Sequence, residues 1–257
     1  MAIEYAHRLT TILDTLAVLA LVAWAFAAFP RRDPVRRYSV LSLFFLLMEA
    51  LLGAGLVLFR YVAKDQSAGR VWYLSGHLTN TMLLLAALSI TAWLALCGRE
   101  HFTISSIATR IRAALLIIIF VSVTGTVAAL GDTLFPAASL AGGLQQDFSS
   151  TSNILLRLRF LHPILAVLAA AYLLWLAAGV MRHSIPGTSE HRAATRVMAA
   201  TLFQVVLGGI NLSLLAPLWA QLSHLLLADL VWVVTLLLAL ETGKVALLEF
   251  TTFTARM

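Results

Sequence analysis

The sequence predicts an all-α integral membrane protein with seven transmembrane helices in two pseudo-repeated helical bundles, three helices and then four. Three observations carry that prediction. Of 257 residues, 61% are hydrophobic and only 12% charged, and the mean hydropathy is +0.92, far outside the range of soluble domains. Seven apolar stretches reach the roughly 20 residues that a span requires. Four histidines then recur near the start of alternate stretches.

The spans are expected at 5–29, 39–62, 72–97, 111–131, 158–181, 194–215 and 219–243. The first follows "EYAHR" (4–8) and is stopped by "RRDPVRR" (31–37). It lacks a basic leader and is too long to be a cleavable signal peptide. The second carries Glu49 near its middle. The third opens on "SGHLTNTMLLLAAL" (75–88) and ends at Cys97, the only cysteine, which excludes an intramolecular disulfide and a thiolate metal site. After the fourth comes the longest outer segment, "GDTLFPAASLAGGLQQDFSSTSN" (131–153), expected as a loop that covers a site or docks a partner. The fifth holds His162, the sixth Gln204 and Asn211, and the seventh His224 and Asp229.

Charge sets the orientation. With the N-terminus outside, the inner segments and their flanks hold Arg31, Arg32, Arg36, Arg37, Arg99, Arg110, Arg112, Arg182, Arg192, Arg196, Lys244 and Arg256. The outer side holds Arg8, Arg60, Lys64, Arg70, Arg157 and Arg159. This asymmetry predicts a multi-pass protein of the plasma (inner) membrane with a cytoplasmic C-terminus. The net charge of +6 is then a topology signal rather than a nucleic-acid footprint, and the partner implied is the lipid bilayer.

His101, His183 and His191 fall in inner loops, where a solvated role is the default. His7, His77, His162 and His224 fall a few residues into the first, third, fifth and seventh spans, which all run from outside to inside. They are therefore expected in one shallow layer beneath the outer surface. One such histidine is an ordinary interface residue; four at matching depth suggest ligands. Neutral imidazole suits haem iron, and helical bundles build such sites from facing helices. His7 and His162 lie 155 residues apart, and His77 and His224 lie 147 apart, which suggests an internal repeat. The expected division is 1–97, a three-helix half with His7 and His77, and 98–257, a four-helix half with His162 and His224.

"EYAHR", "GHLTNTMLLLAALSITAW", "RLRFLHPILAVL" and "QVVLGGINLSLLAPLWAQLSHLLLADL" together resemble the haem A synthase family, which serves cytochrome oxidase assembly. The likeness covers nearly the whole chain, and Glu-x-x-His-Arg is its most specific part. It implies a haem b cofactor on His162 and His224 in the C-terminal half. It also implies haem O as substrate beside His7 and His77, its ring methyl oxidised to the formyl group of haem A. Glu4 matches the family's functional glutamate. It stands about one helical turn from His7 on the same face, although helix-end polarity also accounts for a glutamate there.

Implied partners are the haem O synthase, an electron donor and cytochrome oxidase. Arg8, Arg157 and Arg159, level with the histidines, are expected to meet haem propionates, or else to snorkel to the interface.

Two features depart from the family. Its usual first span, with the outer loop that often carries a cysteine pair, has no counterpart here, and a homo-oligomer could supply the wall. Pro163 follows His162 where arginine is more usual, and is expected in a first helical turn, where proline is tolerated. The alternative function is a non-catalytic membrane b-type cytochrome or a haem-carrying assembly subunit. Asp14, two turns below His7, together with Glu49 and Asp229, is a candidate for proton or water routes. Thr79, Asn80, Gln204 and Asn211 are expected to bond between helices.

Overall fold

The computed structural model describes residues 2–62, 64–97, 101–102, 107–149 and 153–245; for 2–8, 101–102 and 244–245 it describes the backbone alone. Eight helices lie among these residues. They are α1 (Ala2–Ala28), α2 (Pro34–Leu58), α3 (Ala68–Cys97), α4 (Thr109–Leu134), α5 (Leu140–Phe148), α6 (Ile154–His183), α7 (Ser189–Ser213) and α8 (Leu218–Thr242). All but the nine-residue α5 are long and apolar enough to cross a membrane. A two-residue antiparallel pair, His101–Phe102 with Lys244–Val245, is the one strand contact among the described residues.

Caps decide several boundaries. α2 begins at Pro34, five residues before the expected start, because the Asp33 carboxylate accepts from Val35 N at 2.9 Å and Pro34 occupies the first helical position. It ends where Arg60 turns left-handed, at φ 61°. Asn153 caps α6 through Leu155 N at 3.0 Å. The outer segment 131–153 is not all loop: Ser139 accepts from Gly142 N at 3.0 Å and starts α5. Pro163 lies inside α6, nine residues after its first residue Ile154. The first-turn expectation is therefore corrected, since the cap at Asn153 begins the helix about one turn earlier than 158–181 implies.

Packing divides the helices into a ring and a row. α4 meets α6, α6 meets α7, α7 meets α8, and α8 returns to α4. Small residues let these backbones approach: Ala114, Ala177, Ala194 and Ala239 have no exposed surface. Ile111, Leu173, Val197 and Leu238 fill the core between them. By contrast α1 packs on α2 and α2 on α3, without a fourth member among the described helices to close the set. Within its described side chains, α1 is buried only at Val18 and Ala25, and Asp14 is exposed.

A seam between α3 and α8 joins row to ring. Trp232 Nε1 donates to the Met82 carbonyl at 2.8 Å, and Trp93 Nε1 donates to Glu241 Oε1 at 2.8 Å. The many exposed leucines, valines and phenylalanines of the outer surface suit a lipid environment.

Candidate functional site

Each described span histidine rests against a glycine of the helix it packs on. His162, on α6, lies against Gly125 of α4; a Cβ there would stand 2.9 Å from the ring Cε1. His224, on α8, lies against Gly208 of α7 with the same 2.9 Å spacing. His77, on α3, faces Gly53 of α2 at 3.8 Å, an ordinary contact. A side chain at either of the first two positions would force the imidazole to shift.

Hydrogen bonds fix the ring of His162. Thr124 has one hydroxyl proton, and its Oγ1 lies 2.7 Å from the Val121 carbonyl, which takes it. Toward His162 Nδ1, 3.1 Å away, the same oxygen must therefore accept. The ring proton is thereby assigned to Nδ1, and Nε2 keeps its lone pair for a ligand. His224 is held less firmly. Its Nε2 lies 3.3 Å from Gln204 Nε2, while its own Nδ1 and Gln204 Oε1 are buried without a hydrogen-bond partner. Buried polar atoms seldom go unpaired, and a bound water, ion or other group is one of the recognised partners.

A haem fits these residues on three counts. The Nε2 lone pair of His162 is free, a second imidazole stands across the same four-helix ring, and glycines rather than side chains back both.

The α2–α3 pair carries a different arrangement. His77 Nδ1 lies 3.3 Å from Glu49 Oε1, at ion-pair distance, though off the line of a full hydrogen bond. The Glu49 carboxylate also accepts from Thr81 Oγ1 at 2.5 Å and from Asn80 Nδ2 at 2.6 Å. Asn80 is anchored in turn on the Phe45 carbonyl at 2.9 Å. The expected interhelical role of Asn80 thus takes the form of a bond to Glu49. Gln204 likewise bridges α7 and α8.

Glu4, His7 and Arg8 lie on the first turns of α1, and their side chains fall outside the described residues. Arg157 is exposed near the start of α6. Arg159 differs from the expectation of a propionate clamp, because its guanidinium is already enclosed by acceptors of the chain. Asp147 Oδ1 receives Nη2 at 2.6 Å and Nε at 3.0 Å. Asp132 Oδ1 receives Nη1 at 3.1 Å, and the carbonyls of Phe135 and Gly143 lie at 3.4 and 3.3 Å. This ion cluster pins α5 across the ends of α4 and α6.

The pairing of Glu49 with His77 escaped the sequence reading, although a signal existed. Glu49 stands nine residues before the end of α2 at Leu58, and His77 nine residues after the start of α3 at Ala68. Equal distances from a shared turn place residues of antiparallel neighbours at one depth.

Comparison with known proteins points to cytochrome oxidase assembly. The COX15-CtaA family model, described as cytochrome oxidase assembly protein, matches residues 1–236. Two curated Thermus thermophilus proteins called protoheme IX farnesyltransferase are 39% identical over 246 residues, 94% of this chain and 40% of each relative. The chain thus spans about two-fifths of the length of these relatives. A heme A synthase from Exiguobacterium is 31% identical over 104 residues, 40% of this chain and 32% of the relative. No solved structure matches the chain.

Proposed function

This chain belongs to the COX15-CtaA family of cytochrome oxidase assembly proteins, and from that premise we propose that it is a haem A synthase-like membrane oxidoreductase. The observation that carries this reading is the His162 ring, held by Thr124 with its ligand nitrogen free, near a second glycine-backed imidazole. In the C-terminal half, 98–257, His162 and His224 would hold a haem b. In the N-terminal half, 1–97, His7 and His77 would face haem O as substrate, with Glu4 beside the ring methyl that becomes the formyl group of haem A.

Bound haem supplies the redox chemistry; the protein supplies axial ligands, orientation and exclusion of side reactions. Arg8 and Arg157 are the arginines proposed for the propionates. The N-terminus would lie outside the plasma membrane, with the histidines toward that face. The haem O synthase, an electron donor and cytochrome oxidase are the proposed partners, and a second copy of the chain is the proposed wall for the open row.

The farnesyltransferase name belongs to Thermus relatives of which this chain spans about two-fifths, so that name is not carried over to this chain. The heme A synthase likeness and the histidines favour oxidation of the haem instead.

The test is Glu4→Ala, with haem A measured in cells that also make haem O. Loss of haem A with haem b retained supports catalysis at Glu4. Preserved haem A production would overturn that role. A protein that holds haem b alone and makes no haem A would be the b-type cytochrome or haem carrier.

A further inference from the structure

We propose that Glu49 is a positioning residue for the N-terminal half, orienting His77 and making its imidazole the most electron-donating of the described haem-ligand candidates. The inference rests on the reading of His77 as a residue that faces haem. Its carboxylate reaches His77 Nδ1 at 3.3 Å, which leaves Nε2 as the nitrogen directed elsewhere.

Glu49 is itself immobilised. Among the described residues, the side chains that contact its oxygens are all able to donate: Thr81 Oγ1 at 2.5 Å, Asn80 Nδ2 at 2.6 Å and the His77 ring. Two of these donors lie on α3 within one turn of His77. The third layer, from Asn80 to the Phe45 carbonyl, ties the cluster back to α2. A carboxylate inside a span is expensive and tends to mark a functional site.

The other two described imidazoles have neutral partners, Thr124 for His162 and Gln204 for His224. A carboxylate on the far nitrogen fixes the tautomer of a metal-bound histidine and raises its basicity. A more basic ligand favours ferric over ferrous iron, and such hydrogen bonding is one of the protein's levers on haem potential. Glu49 therefore distinguishes the two sites electronically: an iron on His77 is the harder one to reduce, and an iron between His162 and His224 the easier.

The experiment uses the full chain in detergent, reconstituted with haem b as the probe, followed by a redox titration. The wild type should show two components, with His77→Ala removing the lower one. Glu49→Gln keeps the shape of the side chain and its acceptor for Thr81, but removes the charge. It should shift the lower component upward by about 59 mV, a tenfold change in the ferric–ferrous equilibrium, and weaken haem binding there by about 10–100-fold. The upper component should not move.

Glu49→Asp, with the charge retained at greater distance, should give a smaller shift in the same direction. If the Gln variant does not fold, the Asp variant decides, and an unmoved potential in it overturns the proposal. Unchanged potentials in a folded Glu49→Gln protein overturn the proposal alone. So does a titration in which His77→Ala removes no component. Wild-type protein that takes up no haem overturns the haem reading and, with it, the role of Glu49.

Discussion

The two sets of helices use one device in two settings. In the ring of α4, α6, α7 and α8, both histidines press on glycines so closely that a methyl group there, 2.9 Å from the ring, would push the imidazole aside. In the row of α1, α2 and α3, His77 stands 3.8 Å from the equivalent point above Gly53, and its side chain remains 26% exposed. The ring closes on itself, whereas α1, α2 and α3 form an open row that meets the ring through α3. Neutral partners hold the ring histidines, and a carboxylate stands by His77. A resident cofactor benefits from tight backing and closed walls; a substrate that enters and leaves needs access. The contrast is what the proposed division between haem b and haem O requires.

Substitutions can break this comparison. The largest effect is expected from His162→Ala or His224→Ala, each of which should abolish haem b retention in the ring while the row still takes up haem. Haem-to-protein ratios on the purified variants check this. Next is Arg159→Ala, which strands Asp147, only 8% exposed, and Asp132, 32% exposed. Removing one partner of a buried ion pair costs about 3–5 kcal/mol, and the partial exposure of Asp132 places this case near about 3 kcal/mol. A lowered Tm in detergent, with α5 newly sensitive to protease, is the expected readout.

Glycine substitutions sharpen the contrast further. Gly125→Ala and Gly208→Ala should each cost about 1–3 kcal/mol through overpacking and weaken haem binding in the ring. Gly53→Ala should change stability by less than about 0.5 kcal/mol, because its Cβ meets only an ordinary contact. Thermal melts and haem titrations on the three variants would show whether the pattern holds. Thr124→Val should cost about 1 kcal/mol, with a shifted haem spectrum as the His162 ring loses its fixed tautomer.

The spans were legible because apolar length is a strong signal in a chain with so few charges. Helix ends were less so: α2 starts at Pro34 because of one side-chain bond from Asp33, which hydropathy does not register. α5 was hidden by its shortness and by Gly142 and Gly143, although Ser139 and the Leu140, Leu144, Phe148 spacing mark it. The histidines stood out because imidazole is rare in lipid. Their partners did not, since Thr124, Gln204 and Glu49 act across helices and only the packing brings them to the rings. Arg159 shows the same limit, as its distance along the chain from Asp132 and Asp147 gives no hint that all three meet.

Whether these histidines hold haem is decided by extraction and identification of haem from detergent-purified protein made alongside a haem O source. Haem b together with haem O, haem A or a hydroxylated intermediate is the expected result, with a reduced-minus-oxidised spectrum of a low-spin b-type centre. Protein free of haem, under conditions where a control haem protein fills, would contradict it.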